Sequence, residues 1–272
     1  MHYSWRLKLL IYLLLVVTVL SILTPLVYVG VTSLKSSADI FRGSSWVPRP
    51  MSLQSWIEAL TSLNIHKNML NSFLSGLGAM ILALIILVPG AYVFARKNFP
   101  GKEFLFYMVT GTLLFPVILL VVPITEIMVK VKLFNTYAGL WLAFQTLIIP
   151  FGMWTMRGYF AGLPMDLEEA AMVYGCTEFQ AFYKVILPIS LPAIVAISFI
   201  SFLIGWNDFE FSNMLVTTEN IKPATVALYT YTIGGEQTSW GPLMAMTILI
   251  GVPPMALYML AHGFIAKGFG ER

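Results

Sequence analysis

One cysteine and three histidines are all that this 272-residue chain offers of the common soft metal ligands. Cys176 alone leaves no intramolecular disulfide and no cysteine-based zinc cluster. His2, His66 and His262 are scattered, which argues against a metal centre or a histidine-based catalytic pair. Charge is scarce as well: 11% of residues are Asp, Glu, Lys or Arg, against about a quarter in soluble domains. The net charge of +3 is dispersed and forms no basic block, which argues against a nucleic-acid partner. No G-x-x-x-x-G-K-[ST] stretch is present, which argues against a P-loop nucleotide site on this chain. No nucleophile–base pair marks an enzyme.

What the chain has instead is apolar length. Hydrophobic residues make up 58% of it, and the mean hydropathy is +0.81. A helical span needs about 20 apolar residues, because the bilayer core is about 30 Å thick. Six windows of 22 to 30 residues carry no Asp, Glu, Lys or Arg. They predict an all-α, polytopic membrane protein of one domain, 1–272. Its spans fall near 9–31, 70–94, 104–125, 138–156, 191–211 and 243–265. The first window follows Arg6 and Lys8 like a signal peptide, but it is longer than a typical h-region and no A-x-A site follows. It is read as a retained helix. Six spans put both termini on one side. Basic residues divide nine to seven in favour of that side being cytoplasmic, with the short Arg96–Lys102 loop the best vote.

Prolines 25, 89, 116, 123, 150, 253 and 254 punctuate the spans, and each removes a backbone donor and tends to bend its helix. Two polar segments, 32–67 and 212–242, are expected outside. Trp46, Trp56 and Trp240 suit interfacial anchors.

Residues 163–190 are different. Asp166, Glu168, Glu169, Glu178 and Lys184 keep the stretch out of lipid, yet it reads as structured. Asp166 followed by Glu169 predicts a capping box, with a short helix from Leu167. Gly175 suits a left-handed helix end. Thr177 followed by Gln180 predicts a second capping box, and Pro188 a stop. The small Ala170 and Ala171 would let the first helix approach another surface closely. Two readings stay open on the residues alone: a helix for a partner's groove, or an amphipathic helix packed on lipid or on its own chain. The acidic polar face favours the first, since anionic lipids disfavour it.

The stretch "EEAAMVYGCTEFQAFYKVILP" resembles the EAA loop of binding-protein-dependent ABC importer permeases. That pattern is E-A-A, three residues, G, nine residues, I-x-L-P. Here it is carried by Glu169, Ala170, Ala171, Gly175, Val185, Leu187 and Pro188. Val185 stands in the Ile place, and Tyr174 precedes the glycine where many sugar permeases carry Asp. "LFNTYAGL" at 133–140, Pro150 with Trp154, "LPMDLEEAA" and "GWNDFEFS" at 205–212 are similar to the maltose-type carbohydrate uptake 1 permeases. With six spans and no large extra external domain, the chain looks like the G-type subunit.

The resemblance implies a cell-membrane subunit that is not itself an enzyme. A homologous second permease would complete the translocation path. Two cytoplasmic ATPase subunits would carry ATP and Mg, leaving no cofactor on this chain, and an external sugar-binding protein would deliver a di- or oligosaccharide. Glu168, Glu169, Ala170, Ala171, Gly175, Leu187 and Pro188 would couple to the ATPase by alternating access, and the loop would be cytoplasmic. Gly234, Gly235, Glu236 and Gln237 match in position a family loop that reaches toward the binding protein.

Polar groups near spans are functional candidates by default. Trp141, Gln145, Trp206, Asn207, Asp208 and Glu210 combine aromatic faces with amides and carboxylates, which suits a sugar. Glu126 ends the third span. An ion-gradient-driven secondary transporter is the alternative, and it would need a paired ionisable site at mid-membrane. The same ABC role with glycerol-phosphate-like solutes is another.

Overall fold

The computed structural model describes residues 4–36, 39–40, 51–233 and 239–268, and their regular structure is helical. Trp46 and the rest of 41–50 lie outside these. The chain divides into two compact units: residues 1–66 with 227–252, and residues 67–226 with 253–272.

In the first unit, α1 (Trp5–Ser33) is exposed along its apolar length. At about 1.5 Å per residue it is long enough to cross a bilayer. Its C-terminal end is buried at Thr32 and Ser33. The Trp56 indole N–H donates to Ser33 Oγ at 3.3 Å, tying α2 (Gln54–Thr61) to α1. Trp56, expected as an interfacial anchor, thus has a protein partner. Gly241, near the start of a later long helix, lies against Ser55 of α2, where a Cβ would collide.

The second unit holds the rest. α3 (Ile65–Arg96) runs for 32 residues, the longest helix among the described residues. α4 (Lys102–Gly111) continues as a 3-10 turn, Thr112–Leu114, and then breaks. The next helix, α5 (Val117–Lys130), leaves at 110° to it. The expected span 104–125 is therefore not one helix. Pro116 has no N–H to continue the ladder, and it pushes Phe115 into the extended region, φ −82° and ψ 133°.

α6 (Tyr137–Ala161) is the most buried of the long apolar helices and packs against α4 and the later α9. Its N-cap Thr136 accepts from the Gly139 N–H. α7 (Asp166–Val173) and α8 (Glu178–Ile189) precede α9 (Leu191–Asn207), which turns 74° from α8. α9 ends at Asn207, short of the expected 211; Asp208 is extended, and α10 (Glu210–Leu215) follows. α11 (Ala224–Thr232) and α12 (Trp240–Gly268) complete the chain, both running across the boundary between the units.

Among the described residues four helices, α1, α3, α6 and α12, are long and apolar enough to cross a membrane; counting each bent pair as one span makes six. Small residues let the helices of the second unit touch. A Cβ on Gly205 would stand 2.8 Å from the Gly76 Cα, so α3 and α9 cross backbone to backbone. The Trp141 ring fills the space over Gly78.

Candidate functional site

The segment 163–190 forms two short helices around a glycine turn. α7 begins at Asp166, one residue earlier than expected, with Met165 as its N-cap. The expected Asp166–Glu169 capping box does not form. Met165 already has helical φ and ψ, and no side chain caps the end. The Met165 carbonyl accepts the Glu168 and Glu169 N–H groups instead. The three acids of this first turn still meet the positive end of the helix dipole.

Gly175 ends α7 at φ +88°. Its N–H donates to Met172 O at 2.9 Å, and the Cys176 N–H to Ala171 O at 3.0 Å. Together these form a Schellman motif. Thr177 then makes the expected capping box: its Oγ1 accepts from the Gln180 N–H at 3.3 Å, and Gln180 Oε1 accepts from the Thr177 N–H at 3.0 Å. Pro188 does not stop α8, which runs on to Ile189. A π turn over Phe182–Ile186 precedes it, and the wider turn absorbs a ring that would otherwise strike the Lys184 carbonyl. Ser190 marks the real corner.

The two glutamates point to different sides. Glu169 is exposed, while Glu168 is buried. Glu168 Oε2 accepts from the Tyr92 hydroxyl at 3.1 Å, and its Oε1 faces Arg96 Nε at 3.1 Å. That last contact is an ion pair without hydrogen-bond alignment, since neither atom has a hydrogen-bond partner. Arg96 spends its other nitrogens on the Leu163 carbonyl, at 2.7 Å, and on the Met165 sulfur. The side chains are 4% and 10% exposed, so removing one partner would strand a buried charge, at a cost of about 3–5 kcal/mol.

Next to Arg96, Lys97 pairs with Glu178 at 2.7 Å in a more exposed setting, a contact of at most about 1 kcal/mol. The Tyr92 ring packs on Phe182, centroids 4.4 Å apart. At the same end Arg157 pairs with Glu103 at 2.6 Å and lies over the Phe106 ring.

Of the other expected coupling residues, Ala171 is buried, Leu187 is half-buried, and Ala170, Gly175 and Pro188 are exposed. Beside Glu169 and Ala170, the outward face carries Met172, Val173, Tyr174, Phe179 and Tyr183. Val173 is 85% and Tyr174 89% exposed, values far outside those of packed apolar side chains.

The candidate sugar residues do not gather into one site. The Trp141 indole donates to Leu74 O, and Gln145 Nε2 donates to Ala79 O and Trp141 O. These two meet, but as braces between α6 and α3. Trp206 is buried in the unit. Asp208 is buried too, and its Oδ2 accepts from the Ser212 N–H and hydroxyl at 2.8 and 2.7 Å, capping α10. Asn207 and Glu210 remain exposed. Glu126 lines an open groove of about 400 Å³ with Val122, Thr125, Val129, Lys130 and Met214. Gly234, Gly235, Glu236 and Gln237 lie outside the described residues.

Three groups escaped sequence reasoning. Tyr92 and Arg96 are four residues apart and share a helix face; that spacing at the end of a long apolar run was the available signal. Asn68 and Asn71 of α3 donate to the backbone carbonyls of Asn220 and Lys222. Asn135, at φ +57°, accepts from the N–H groups of Thr217 and Thr218. The asparagines thus pin the 216–223 segment.

Residues 88–270 match the model of the family described as the binding-protein-dependent transport system inner membrane component. The chain belongs to this family. It is a permease, the membrane component of an ABC importer, and ATP hydrolysis is the work of a separate subunit. The family implies a substrate-binding protein and an ATPase as partners, and a multi-pass place in the inner membrane. The permease is 30% identical over 251 residues to the diacetylchitobiose uptake system permease NgcG of Streptomyces coelicolor, covering 92% of this chain and 83% of that one. It is 29% identical to the trehalose transport system permease SugB of Mycobacterium tuberculosis, over 90% of each chain. A chain in the crystal structure of a bacterial ABC transporter involved in the import of the acidic polysaccharide alginate shares the fold. The TM-score is 0.83 at 20% identity, over 97% of this chain and 99% of that one.

Proposed function

We propose that this permease imports a sugar of the di- or oligosaccharide class. It forms half of the translocation path with a second, homologous permease, and residues 163–190 dock on one of two cytoplasmic ATPase subunits. The observation that carries the docking role is the exposed Val173–Tyr174 face, held on a turn with its backbone hydrogen bonds closed on both sides of Gly175. A solvated loop has no use for two large apolar side chains in that position, whereas a partner's groove does. The sugar class is supported by the relatives, which are named for diacetylchitobiose, trehalose, α-glucoside and sulfoquinovosyl glycerol transport.

In this reading both termini and the 163–190 loop are cytoplasmic, and ATP and Mg sit on the ATPase. Nucleotide and loaded binding protein each favour one of two states of the membrane helices, which is how one drives the other. Glu169, Ala170, Gly175 and Pro188 belong to the docking face, and Glu168 and Ala171 seat it on the bundle. Asn207, Glu210 and the Glu126 groove are the best-exposed polar candidates for the path.

The test is reconstitution with the ATPase, the second permease and the binding protein, measuring ATP hydrolysis over a panel of sugars. A sugar that raises hydrolysis and is accumulated by vesicles names the substrate. A complete, ATP-hydrolysing complex that transports none of the panel would refute the sugar reading.

A further inference from the structure

The coupling loop is fastened to one helix by two adjacent cations. Arg96 holds α7 through Glu168, and Lys97 holds α8 through Glu178. Between the two arms lies the Gly175 turn, whose glycine is exposed with open space around it. Tyr92, one turn before Arg96, adds its hydroxyl to Glu168 and its ring to Phe182 of α8. So the C-terminal turn of α3 touches both arms of the loop, and the arms also pack against each other.

The two fastenings differ in kind. The Arg96–Glu168 pair is closed off from solvent, and Arg96 also grips the Leu163 carbonyl at the entry to α7. Lys97–Glu178 is open to water and salt. At its other end, α3 holds the 216–223 segment through Asn68 and Asn71. One continuous helix therefore links the coupling loop to the far end of its unit.

We propose that Arg96 is the positioning residue that turns a displacement of α7 into a displacement of α3. This rests on the reading of 163–190 as the ATPase-docking loop. Arg96 does not touch the ATPase. It locks Glu168 so that α7 and α3 move as one body when the ATPase closes. Docking and transmission are then separable: the outward residues Val173 and Tyr174 dock, and the inward pair Arg96–Glu168 transmits.

The experiment uses the assembled complex with its ATPase and second permease. A fluorophore is placed at Leu70→Cys, on an exposed position of α3, in a Cys176→Ser background. ATP, Mg and orthovanadate close the ATPase, and the spectral shift of the probe is read. Arg96→Gln would leave Glu168 stranded, so the deciding variant is Arg96→Gln/Glu168→Gln, which removes both charges together. The expected result is that the double variant keeps the ATPase bound, while the shift falls by about tenfold.

An undiminished shift in the double variant overturns the proposal. So does a parent chain without a shift, or a folded double variant that loses the ATPase, because Arg96 would then shape docking rather than transmit. Tyr174→Glu is run in parallel to test the reading beneath it. If that variant binds the ATPase as the parent does, the docking face has been misplaced, and the proposal falls with it.

Discussion

Gly205 of α9 lies on the backbone of Gly76 in α3, so close that a side chain on either would have to displace the other helix. A Cβ on Gly205 meets the Gly76 Cα at 2.8 Å, and one on Gly76 meets the Phe202 carbonyl at 2.9 Å. Gly205→Ala is expected to destabilise the permease by about 1–3 kcal/mol through overpacking. Thermal unfolding in detergent reads this against Gly251→Ala, a helix position with open space around it. Equal melting of the two variants would contradict the close crossing.

Val173 and Tyr174 lie almost wholly in solvent. Val173→Asp and Tyr174→Glu should leave melting within about 0.5 kcal/mol of the parent, as for surface changes generally. Binding of the ATPase should weaken by about tenfold or more, as for the loss of a central interface contact. Co-purification at graded salt measures it. Binding equal to that of the parent chain would place the docking surface elsewhere.

Gly175 holds φ +88°. Gly175→Ala must force an L-residue into the left-handed region, which costs about 1–2 kcal/mol. Asn tolerates that region better, so Gly175→Asn should lose less. Hydrogen exchange at the Cys176 amide, which closes the Schellman motif onto Ala171, should speed up in the order Gly, Asn, Ala. A protected Cys176 amide in Gly175→Ala would mean that the turn had found another closure.

Asp208 reads in sequence as a sugar ligand and in the fold as a cap. Asp208→Ala frees the buried Ser212 N–H and hydroxyl and should cost about 1–3 kcal/mol. Asp208→Asn retains an acceptor and should lose less. In transport assays both should lower the amount of active permease and leave KM for the sugar unchanged. A raised KM with normal stability would return Asp208 to the translocation path.

These cases mark what the sequence can and cannot carry. Thr177 with Gln180, and Gly175, were legible because each acts within three or four residues of itself. The long apolar helices were legible because bilayer thickness sets their length. Asp166 with Glu169 matched a local pattern and failed, since the helix start is decided by the backbone at Met165. Which of Glu168 and Glu169 faces inward was not legible, because the deciding partner, Arg96, comes from a distant part of the chain. Pro116 announced a break but not a 110° turn. Trp141 and Gln145 looked free for solute because their backbone partners on α3, at Leu74 and Ala79, are invisible in a linear text. Asp208 looked free because the expected span ran on to 211 and hid the helix start that it caps.

Cys176, the only thiol in the chain, sits half-buried at the close of the Gly175 turn. Nature has thereby left a single chemical handle beside the proposed docking face. Native permease can be alkylated at one known place without any engineering, and the alkylation rate becomes a clock for the occupancy of that face. With the ATPase docked the clock should slow, and with the face bare it should run. Any thiol reagent that poisons transport by this permease alone would be acting at the turn and not in the solute path.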